Sequence, residues 1–528
     1  AAHTVLTIEG PDTPGFLYAL ANALSVAGYY IARVEVETVG ARARDVLHIT
    51  DAAGGRVEGA RREAELRAAT VLVKHFTHLL PLSPDPQRAL SHLRGFLARL
   101  FAEEDWPARV ASVDRPEVLT ALAHLLGVSD SLWEDLLRLQ YENLFPVLAD
   151  VDALAEPTSR ADLDRELAAL LTDAQDPVTA RERLNAFKDR EMFRVDMRNI
   201  LGRTAEFGAF SAELGDVAEA VLAGALGLAY DALGPPPEPP AALALLGLGK
   251  LGGREMGYAS DVELLFVYED PQTPTRPAVA EFCERLVAEF LATIRSRRAG
   301  IFRIDLRLRP YGAAGSLAVS LEAFRRYYGP DGPAWPYERQ ALVKARTVAG
   351  DAALGARVEA LRDEIVYGGV AFDAVAMRAM RERQLRHLVP GGVLNSKYSS
   401  GGLVDVEYLV QGLQMRHGVA HPEVRRVNTL EALDALAAVG ALDRAQHADL
   451  RAAYILLRRV IDALRIVRGN ADDLALPPEG DEEWLYLARR MGNGEGLAHG
   501  QDAAVDLRRR LSESMARVAA LAGKLLGA

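Results

Sequence analysis

Hydrophobic residues in the first 80 positions follow two different spacings. The spacing i, i+3, i+4, i+7 predicts an amphipathic helix over residues 17–24, and a second helix is predicted over residues 57–79. An apolar residue at every second position predicts strands in three segments, residues 4–8, 31–38 and 43–51. The order strand, helix, strand, strand, helix predicts a small sandwich of helices on a sheet.

Helical spacing dominates much of the remaining chain, over residues 85–233 and again from residue 373 to the end. The prolines of "GPPPEPP", residues 234–240, end the first of these regions because consecutive prolines cannot continue a helix. A mixed pattern of strands and helices lies between them. Two apolar stripes are typical of the helical regions: Leu163, Leu167, Leu170 and Leu171 in the first, and Leu507, Leu511, Met515 and Val518 in the second.

The chain has 528 residues, which is too long for one hydrophobic core. We therefore predict a multidomain α+β protein with a small α+β domain, a helical region, a mixed-sheet core and a C-terminal helical bundle. The predicted boundaries divide the chain into residues 1–80, 81–234, 235–370 and 371–528.

The composition and charge of the chain argue against several classes of protein. The net charge of −12 argues against a broad nucleic-acid surface, because phosphate binding needs positive charge. No apolar run is long enough for a membrane span, and the opening residues lack the pattern of a signal peptide. The single cysteine, Cys283, excludes intrachain disulfides. We expect a cytoplasmic protein that has no contact with membranes or nucleic acid.

Candidate chemistry begins in "GLGKLGGREMGYASDVELLFVY", residues 247–268. Asp261 and Glu263 lie two residues apart at the start of a predicted strand, so both side chains project from the same face. Two carboxylates 4 Å apart repel each other by about 4 kcal/mol, unless water or a cation separates them. Oxygen ligands of this kind suit Mg²⁺, and glycines ahead of the strand would let backbone approach a phosphate.

A second segment, "IFRIDLRLRP", has the period-two pattern of a strand with one charged face. Asp305, Arg307 and Arg309 alternate with aliphatic residues, which predicts one acid and two guanidinium groups in a row. The glycines of the following "PYGAAGSLAVS" predict a backbone cradle for a phosphate. A solvated strand face is the alternative.

Four ordered motifs resemble the glutamine synthetase adenylyltransferase family: the two segments above, then "ERQALVKAR" and "GGLVDVEYLVQ". The resemblance extends over most of residues 85–528 and covers one of the two nucleotidyltransferase halves that members of that family have. One half of such an enzyme adenylylates a tyrosine of glutamine synthetase, and the other removes the AMP by phosphorolysis. Which direction this chain catalyses stays open. Glu263 stands where the family usually has Asp.

The resemblance implies roles for individual residues. Asp261, Glu263 and Asp305 would be the catalytic carboxylates and would hold Mg²⁺ or Mn²⁺. ATP would be the nucleotide. The residues implied in nucleotide binding are Gly249, Lys250, Gly252, Gly253, Ser260, Arg307, Arg309 and Lys397.

Three further features leave alternatives open. Lys250, Lys344 and Lys397 are three of only six lysines and fall in the motif segments, which favours phosphate contacts, although Lys344 could equally be a solvated helix residue. Asp405 and Glu407 would either cap a helix or belong to a secondary part of the nucleotide or tyrosine site. We expect the aromatic residues of "AWPYERQ", Trp335 and Tyr337, to be packing residues.

The N-terminal segment resembles the ACT domain, particularly that of PII uridylyltransferases, in its "DTPGFL" before the first helix and its "DVLHITD" strand. That resemblance implies a ferredoxin-like fold that binds an amino acid, for which glutamine is the natural choice. The implied effector residues are Asp12, Pro14, Gly15 and Phe16. A packing module without a ligand is the alternative.

The sequence therefore favours a nucleotidyltransferase that acts on glutamine synthetase under control of an amino acid. Two other functions remain open. One is a regulatory pseudoenzyme that senses an amino acid, and the other is transfer of a nucleotide to a different protein, such as a PII-type signalling protein.

Overall fold

The structure is a computed structural model of the chain. It describes residues 3–102 and 154–525, apart from short gaps at 14, 27, 41, 80–82, 84–85, 155, 201, 205, 273, 296–301, 369–371, 469–472 and 493–499. Part of the helical pattern predicted for residues 85–233, and the predicted effector residue Pro14, therefore lie outside the described residues.

The N-terminal unit has the predicted order of elements, which are β1 (Thr4–Pro11), α1 (Phe16–Val26), β2 (Tyr29–Val39), β3 (Arg42–Asp51) and α2 (Ala60–Leu79). Its three strands are antiparallel in the order β1-β3-β2. The apolar positions that predicted the elements point into one core, where Leu20, Leu24, Leu47, Ile49 and Phe76 are all fully buried.

Four described helices follow: α3 (Pro86–Ala102), α4 (Arg160–Thr172), α5 (Pro177–Ile200) and α6 (Ala209–Leu233). The predicted stripe on α4 faces the core, because Leu163 and Leu167 are buried there. Ser159 caps this helix by accepting a hydrogen bond from the N–H of Asp162. The helical prediction is confirmed over this part of the described chain.

A mixed sheet of five strands carries the next region. It consists of β4 (Ala242–Gly247), β5 (Val262–Glu269), β6 (Ile304–Asp305), β7 (Ala318–Ser320) and β8 (Arg346–Gly350). The strand β4 pairs antiparallel with β5 and β8, whereas β6 and β7 pair parallel to β5. Its helices are α7 (Gly249–Gly252), α8 (Pro277–Thr293), α9 (Leu321–Tyr328), α10 (Pro336–Ala341) and α11 (Ala352–Tyr367).

The charged strand predicted for residues 304–309 is wrong beyond Asp305, where β6 ends. The carboxylate of Asp305 accepts a hydrogen bond from the N–H of Arg307 at 2.8 Å, which turns the chain out of the strand. Arg309 is consequently buried instead of sharing a face with Asp305.

The C-terminal bundle contains α12 (Ala374–Leu388), α13 (Leu403–His417), α14 (Thr429–Ala438), α15 (Arg444–Arg468), α16 (Glu483–Met491) and α17 (Gly500–Leu525). The second predicted stripe, from Leu507 to Val518, is buried in the core of this bundle. None of the described helices is both long enough and apolar enough to cross a membrane.

Candidate active site

Strand pairing brings two of the predicted carboxylates together. The strands β5 and β6 run parallel, and their register places Glu263 opposite Asp305. Asp261 comes immediately before β5, where the N–H of Val262 donates to the carbonyl oxygen of Arg303 at 2.9 Å. The three acids predicted from two separate motifs therefore lie at the same end of neighbouring strands.

Glu263 occupies space that only a glycine can leave open. A Cβ atom on Gly249 would lie 1.5 Å from Glu263 Oε2, and Gly249 has a φ of +49°, in the left-handed region. Burial raises the pKa of Glu263; the positive charge of Lys397 opposes this shift, and the negative charge of Asp305 adds to it. The carboxylate is therefore held in a confined place that favours a nearby cation.

Arginines neutralise the other two acids. Arg303 Nη2 lies 2.8 Å from Asp261 Oδ2, and Arg307 Nη2 lies 2.6 Å from Asp305 Oδ2. Burial acts to raise the pKa of Asp305, but the hydrogen bonds and charge of Arg307 outweigh it and hold that pKa below its ordinary value. Both arginine side chains are more than half exposed, so neither is locked in place by packing.

The oxygen atoms of these three acids are suitable ligands for a divalent cation, but the side chains are not arranged to bind one. Within the described part of the chain, no group of three or more acidic, histidine or cysteine side chains is close enough together to hold a metal ion. The three carboxylates supply the oxygen ligands that hard cations prefer. Arg303 and Arg307 stand at present where positive charge is needed, so they would have to move for a cation to bind.

A cleft of about 560 Å³ lies beside these acids, between the sheet and the C-terminal bundle. Eight of the residues predicted from the sequence line it: Gly249, Lys250, Ser260, Asp261, Glu263, Arg307, Lys397 and Glu407. Of the described residues that were predicted for the catalytic and nucleotide site, five are not part of its lining: Gly252, Gly253, Asp305, Arg309 and Asp405.

Positive charge gathers on one side of the cleft. Lys250 and Lys397 line it together with Arg465 from α15. Burial lowers the pKa of Lys250 well below its ordinary value, and the charges of Arg465 and Arg458 lower it further. Cations that repel one another in this way are stabilised by an anion, so this side of the cleft suits phosphate groups.

The remaining motif glycines and serine have structural contacts. A Cβ atom on Gly252 would lie 1.9 Å from the carbonyl oxygen of Lys344, and one on Gly253 would lie 3.1 Å from that of Val427. These contacts explain the glycine pair by close packing of backbone. Ser260 closes its own loop, because its Oγ accepts a hydrogen bond from the N–H of Gly257 at 2.9 Å.

The backbone cradle predicted after Arg309 exists, but a side chain of the protein fills it. The guanidinium of Arg309 donates to the carbonyl oxygens of Leu306 at 2.8 Å, Gly315 at 3.1 Å and Ala313 at 3.3 Å. Carbonyl oxygens accept hydrogen bonds and would repel a phosphate. The predicted contact between Arg309 and the nucleotide is therefore corrected: this arginine shapes the loop.

Asp405 and Glu407 have different environments, although both belong to the first turns of α13. Asp405 pairs with Arg381 at 2.5 Å and accepts a hydrogen bond from the N–H of Gly401 at 2.6 Å. These contacts favour the capping interpretation for Asp405. Glu407 lines the cleft instead, and its Oε1 is buried with no hydrogen-bond partner within the described part of the chain.

Lys344 is neither solvated nor free to bind a phosphate, although it lies at the cleft. Its ammonium forms a buried ion pair with Glu255 and donates to Thr429 Oγ1 at 3.1 Å.

Trp335 was expected to pack inside the protein, but it is 63% exposed. Tyr337 stacks on Trp335, with ring centroids 6.4 Å apart, and lines the cleft.

Several residues of the site have no local signal in the sequence. Arg465 donates to the carbonyl oxygen of Tyr258 at 2.8 Å, and Arg458 donates to that of Glu255 at 2.7 Å. Both arginines come from α15 and hold the loop before Asp261 from a distance of about two hundred residues along the chain. Arg303 could have been found, since it precedes Asp305 by two positions in the same motif.

The turn predicted to bind an effector lies between β1 and α1. Gly15 adopts a left-handed φ of +81°, and Asp12 is exposed. Phe16 is 2% exposed and belongs to the core, with Lys74 Nζ 4.1 Å from the centre of its ring. Asp45 is also buried, and burial raises its pKa while the charge of Lys74 lowers it.

Comparison with known proteins agrees with the motifs. A family model described as glutamate-ammonia ligase adenylyltransferase matches residues 119–361, and one described as GlnD PII-uridylyltransferase matches residues 376–526. The first match contains the carboxylates and the sheet. The second contains most of the C-terminal bundle.

Curated relatives are named bifunctional glutamine synthetase adenylyltransferase/adenylyl-removing enzyme. The protein of Mycobacterium leprae is 33% identical over 428 residues, which are 78% of this chain and 41% of that protein. The protein of Streptomyces coelicolor is 33% identical over 366 residues, 65% of this chain and 36% of its own length. The protein of Neisseria meningitidis serogroup B is 30% identical over 434 residues, which are 80% of this chain and 46% of that protein.

The chain thus spans about two fifths of the length of the curated relatives it matches. The similarity covers most of this chain and includes the family match over its acidic strands. Over most of its length the chain resembles one half of the bifunctional glutamine synthetase adenylyltransferase/adenylyl-removing enzymes, as its motifs predicted.

Proposed function

We propose that this protein is a nucleotidyltransferase that adds AMP to a tyrosine of glutamine synthetase or removes it by phosphorolysis. One observation carries the proposal: the parallel pairing of β5 with β6 puts Glu263 opposite Asp305, beside Asp261 and a cleft of about 560 Å³. Carboxylates from neighbouring strands beside a cation-lined cleft are suited to phosphoryl-type transfer. The activity stated in the names of the relatives supports glutamine synthetase as the protein substrate.

The three carboxylates would hold Mg²⁺ or Mn²⁺, which would neutralise charge on the phosphates of ATP when bound. Lys250, Lys397 and Arg465 would contact those phosphates from the cleft wall. Arg303 and Arg307 would exchange their carboxylate partners for phosphate oxygens, since both are exposed enough to turn. The attacking tyrosine has an ordinary pKa of about 10, so a carboxylate of the site must help to remove its proton.

The N-terminal unit would bind an amino acid as an ACT domain, with glutamine as the expected effector. Its order of elements and its antiparallel β1-β3-β2 sheet support a ferredoxin-like arrangement. Asp12 and Gly15 at the first turn would contribute to that site, together with Pro14, which lies outside the described residues. The family match over residues 376–526 supports a PII-type signalling protein as a further partner.

The decisive experiment supplies both substrates to the purified chain. With Mg²⁺ and glutamine synthetase, labelled ATP should transfer label to a tyrosine, or AMP-modified glutamine synthetase should release ADP when phosphate is added. Chelation of the cation should abolish the reaction, and so should the paired substitution Asp261→Asn and Asp305→Asn. Absence of both reactions, with glutamine synthetase confirmed as folded, would contradict the proposal.

A regulatory pseudoenzyme is the second candidate, and the arginine partners of Asp261 and Asp305 favour it. In that case the two ion pairs would be permanent and the cleft would bind neither cation nor nucleotide. Calorimetric titration with ATP and Mg²⁺ separates the two candidates. Saturable binding supports the enzyme, and no heat of binding supports the pseudoenzyme.

A further inference from the structure

The wall of the cleft that faces away from the sheet is built differently from the phosphate side. It comes from α12 and α13 of the C-terminal bundle and carries Gln384, Glu407, Tyr408 and Gln411. Gln384 and Glu407 each have a side-chain oxygen, Oε1, that is buried and has no hydrogen-bond partner among the described residues. Two unpaired acceptors therefore lie on adjacent helices at one wall.

Neighbouring polar groups on this wall are already paired, which sets these two oxygens apart. Gln340 Nε2 donates to Gln411 Oε1 at 2.8 Å, so that pair is complete. Gln384 Nε2 donates to Tyr408 Oη at 3.0 Å, which fixes the orientation of the amide and leaves its oxygen as the free group. A carboxylate such as that of Glu407 accepts hydrogen bonds and donates none.

A buried acceptor without a partner costs free energy, so its retention indicates a use. The matching ligand must offer two hydrogen-bond donors, one for the acceptor on α12 and one for the acceptor on α13. Phosphates offer no donors when ionised. A ribose offers two adjacent hydroxyl groups, and a carboxylate that accepts from a ribose hydroxyl is a recurrent means of nucleotide recognition.

We infer that Glu407 and Gln384 form a ribose subsite, in which their two Oε1 atoms accept hydrogen bonds from the 2′ and 3′ hydroxyl groups of the bound nucleoside triphosphate. This inference rests on the proposed function, because it places the same nucleotide in the same cleft. The phosphates then lie towards Lys250 and Lys397, and the sugar lies towards the bundle. The C-terminal bundle thereby selects ribonucleotides over deoxyribonucleotides.

The test compares ATP with 2′-deoxy-ATP and 3′-deoxy-ATP in calorimetric titrations with Mg²⁺. The unsubstituted protein should bind ATP at least about tenfold more tightly than either deoxy analogue, because each lacks a donor to a buried acceptor. Glu407→Met keeps the length of the side chain and removes both acceptors. The Glu407→Met variant should bind ATP at least about tenfold more weakly and should bind one of the two deoxy analogues as well as before. Its discrimination between ATP and that analogue should therefore disappear.

Gln384→Met is the second variant and should abolish discrimination against the other analogue. Glu382→Met, at an exposed position on α12, is the matched control and should change neither affinity nor discrimination. Thermal unfolding separates binding from folding, because loss of an unpaired buried acceptor should leave the melting temperature unchanged or raise it.

Four results would overturn the inference. Equal binding of ATP and both deoxy analogues by the unsubstituted protein would exclude a ribose subsite. A lower melting temperature of Glu407→Met with intact discrimination would give Glu407 a structural role, and an effect on transfer to tyrosine alone would assign it to the protein substrate. Failure to bind any of the nucleotides would overturn the proposed function together with the inference.

Discussion

The carboxylate of Glu263 lies where a Cβ atom of residue 249 would be, 1.5 Å from the position that such an atom would take on Gly249. This contact joins the glycine-rich segment to the acidic strand and explains the glycine at position 249. The glycine makes room for a carboxylate at this position, and the left-handed φ of +49° prevents other residues from taking its place without strain.

Gly249→Ala should therefore impair catalysis far more than folding. The methyl group would displace the end of the Glu263 side chain, and misplacement of a catalytic group by about 1 Å can reduce the rate about 100-fold. The backbone strain should cost about 1–2 kcal/mol of stability. AMP transfer and the free energy of unfolding should be measured together.

Gly440→Ala is the matched control for that substitution. Gly440 has a φ of +76°, and a Cβ atom there would meet no other atom within 4 Å. The control should show the same loss of stability with unchanged activity. Equal activity of the two variants would contradict the role given to the contact with Glu263.

Glu263→Gln should reduce the rate of AMP transfer by at least about 100-fold, because it removes the charge that a cation would need. Burial raises the pKa of Glu263, so its charge is costly in the free protein, and the substitution should not lower the melting temperature. Glu263→Asp should retain more activity than Glu263→Gln, since it keeps the charge. Glu281→Gln, at an exposed position on α8, serves as the control for loss of one charge.

Lys344→Met should destabilise the junction between the sheet and the bundle. Lys344 and Glu255 form an ion pair whose side chains are 6% and 3% exposed, and Glu255 also accepts a hydrogen bond from the N–H of Thr429. Removal of one partner leaves a buried charge and should cost about 3–5 kcal/mol. Denaturation in urea measures this loss.

The double substitution Lys344→Met with Glu255→Gln should recover part of that stability, because no unpaired charge then remains. Lys524→Met, at an exposed position near the end of α17, should have little effect. A double variant less stable than Lys344→Met alone would show that the ion pair does not determine the loss.

Asp270→Asn should remove a pH-dependent contribution to stability. Hydrogen bonds from the side chain of Arg276 lower the pKa of Asp270 from 3.8 to about 2, and backbone N–H groups of Arg276 and Gln272 add to the effect. A carboxyl group whose pKa is lower in the folded state stabilises the fold above its unfolded pKa. This contribution is lost as the pH falls from about 4 to about 2.

Thermal unfolding of both proteins as a function of pH tests that prediction. The stability difference between the unsubstituted protein and Asp270→Asn should be full at neutral pH and should shrink below about pH 4. Asp331→Asn, at an exposed position, provides the control. A difference that stays constant between pH 7 and pH 3 would rule out the carboxylate as its source.

Local spacing in the sequence was sufficient for the order of elements and for the neighbouring acids. Asp261 and Glu263 flank the first residue of a strand that could be recognised from its apolar pattern. The family resemblance, not the spacing, implied that Asp305 joins these two acids, and the pairing of β5 with β6 places it opposite Glu263. Period two failed after Asp305, because a hydrogen bond from the chain's own backbone ended the strand there.

The partners of charged side chains could not be predicted from the sequence. Arg309 was expected at a phosphate, yet the loop that follows it encloses its guanidinium with carbonyl oxygens. Lys344 was left between two interpretations, and a glutamate 89 residues away decides its role. Such contacts depend on which distant segments meet in the fold, and the spacing of residues along the chain does not predict those meetings.

The sequence by itself determined the order of strands and helices and which acids lie at the start of β5, because these properties depend on residues a few positions apart. Only the tertiary structure decided which of two neighbouring acids on α13 forms an ion pair within the protein and which one faces the cleft: Asp405 binds Arg381, whereas Glu407 lines the cleft. Residues two positions apart on a helix point in different directions, and the segments that pack around the helix determine what each one meets.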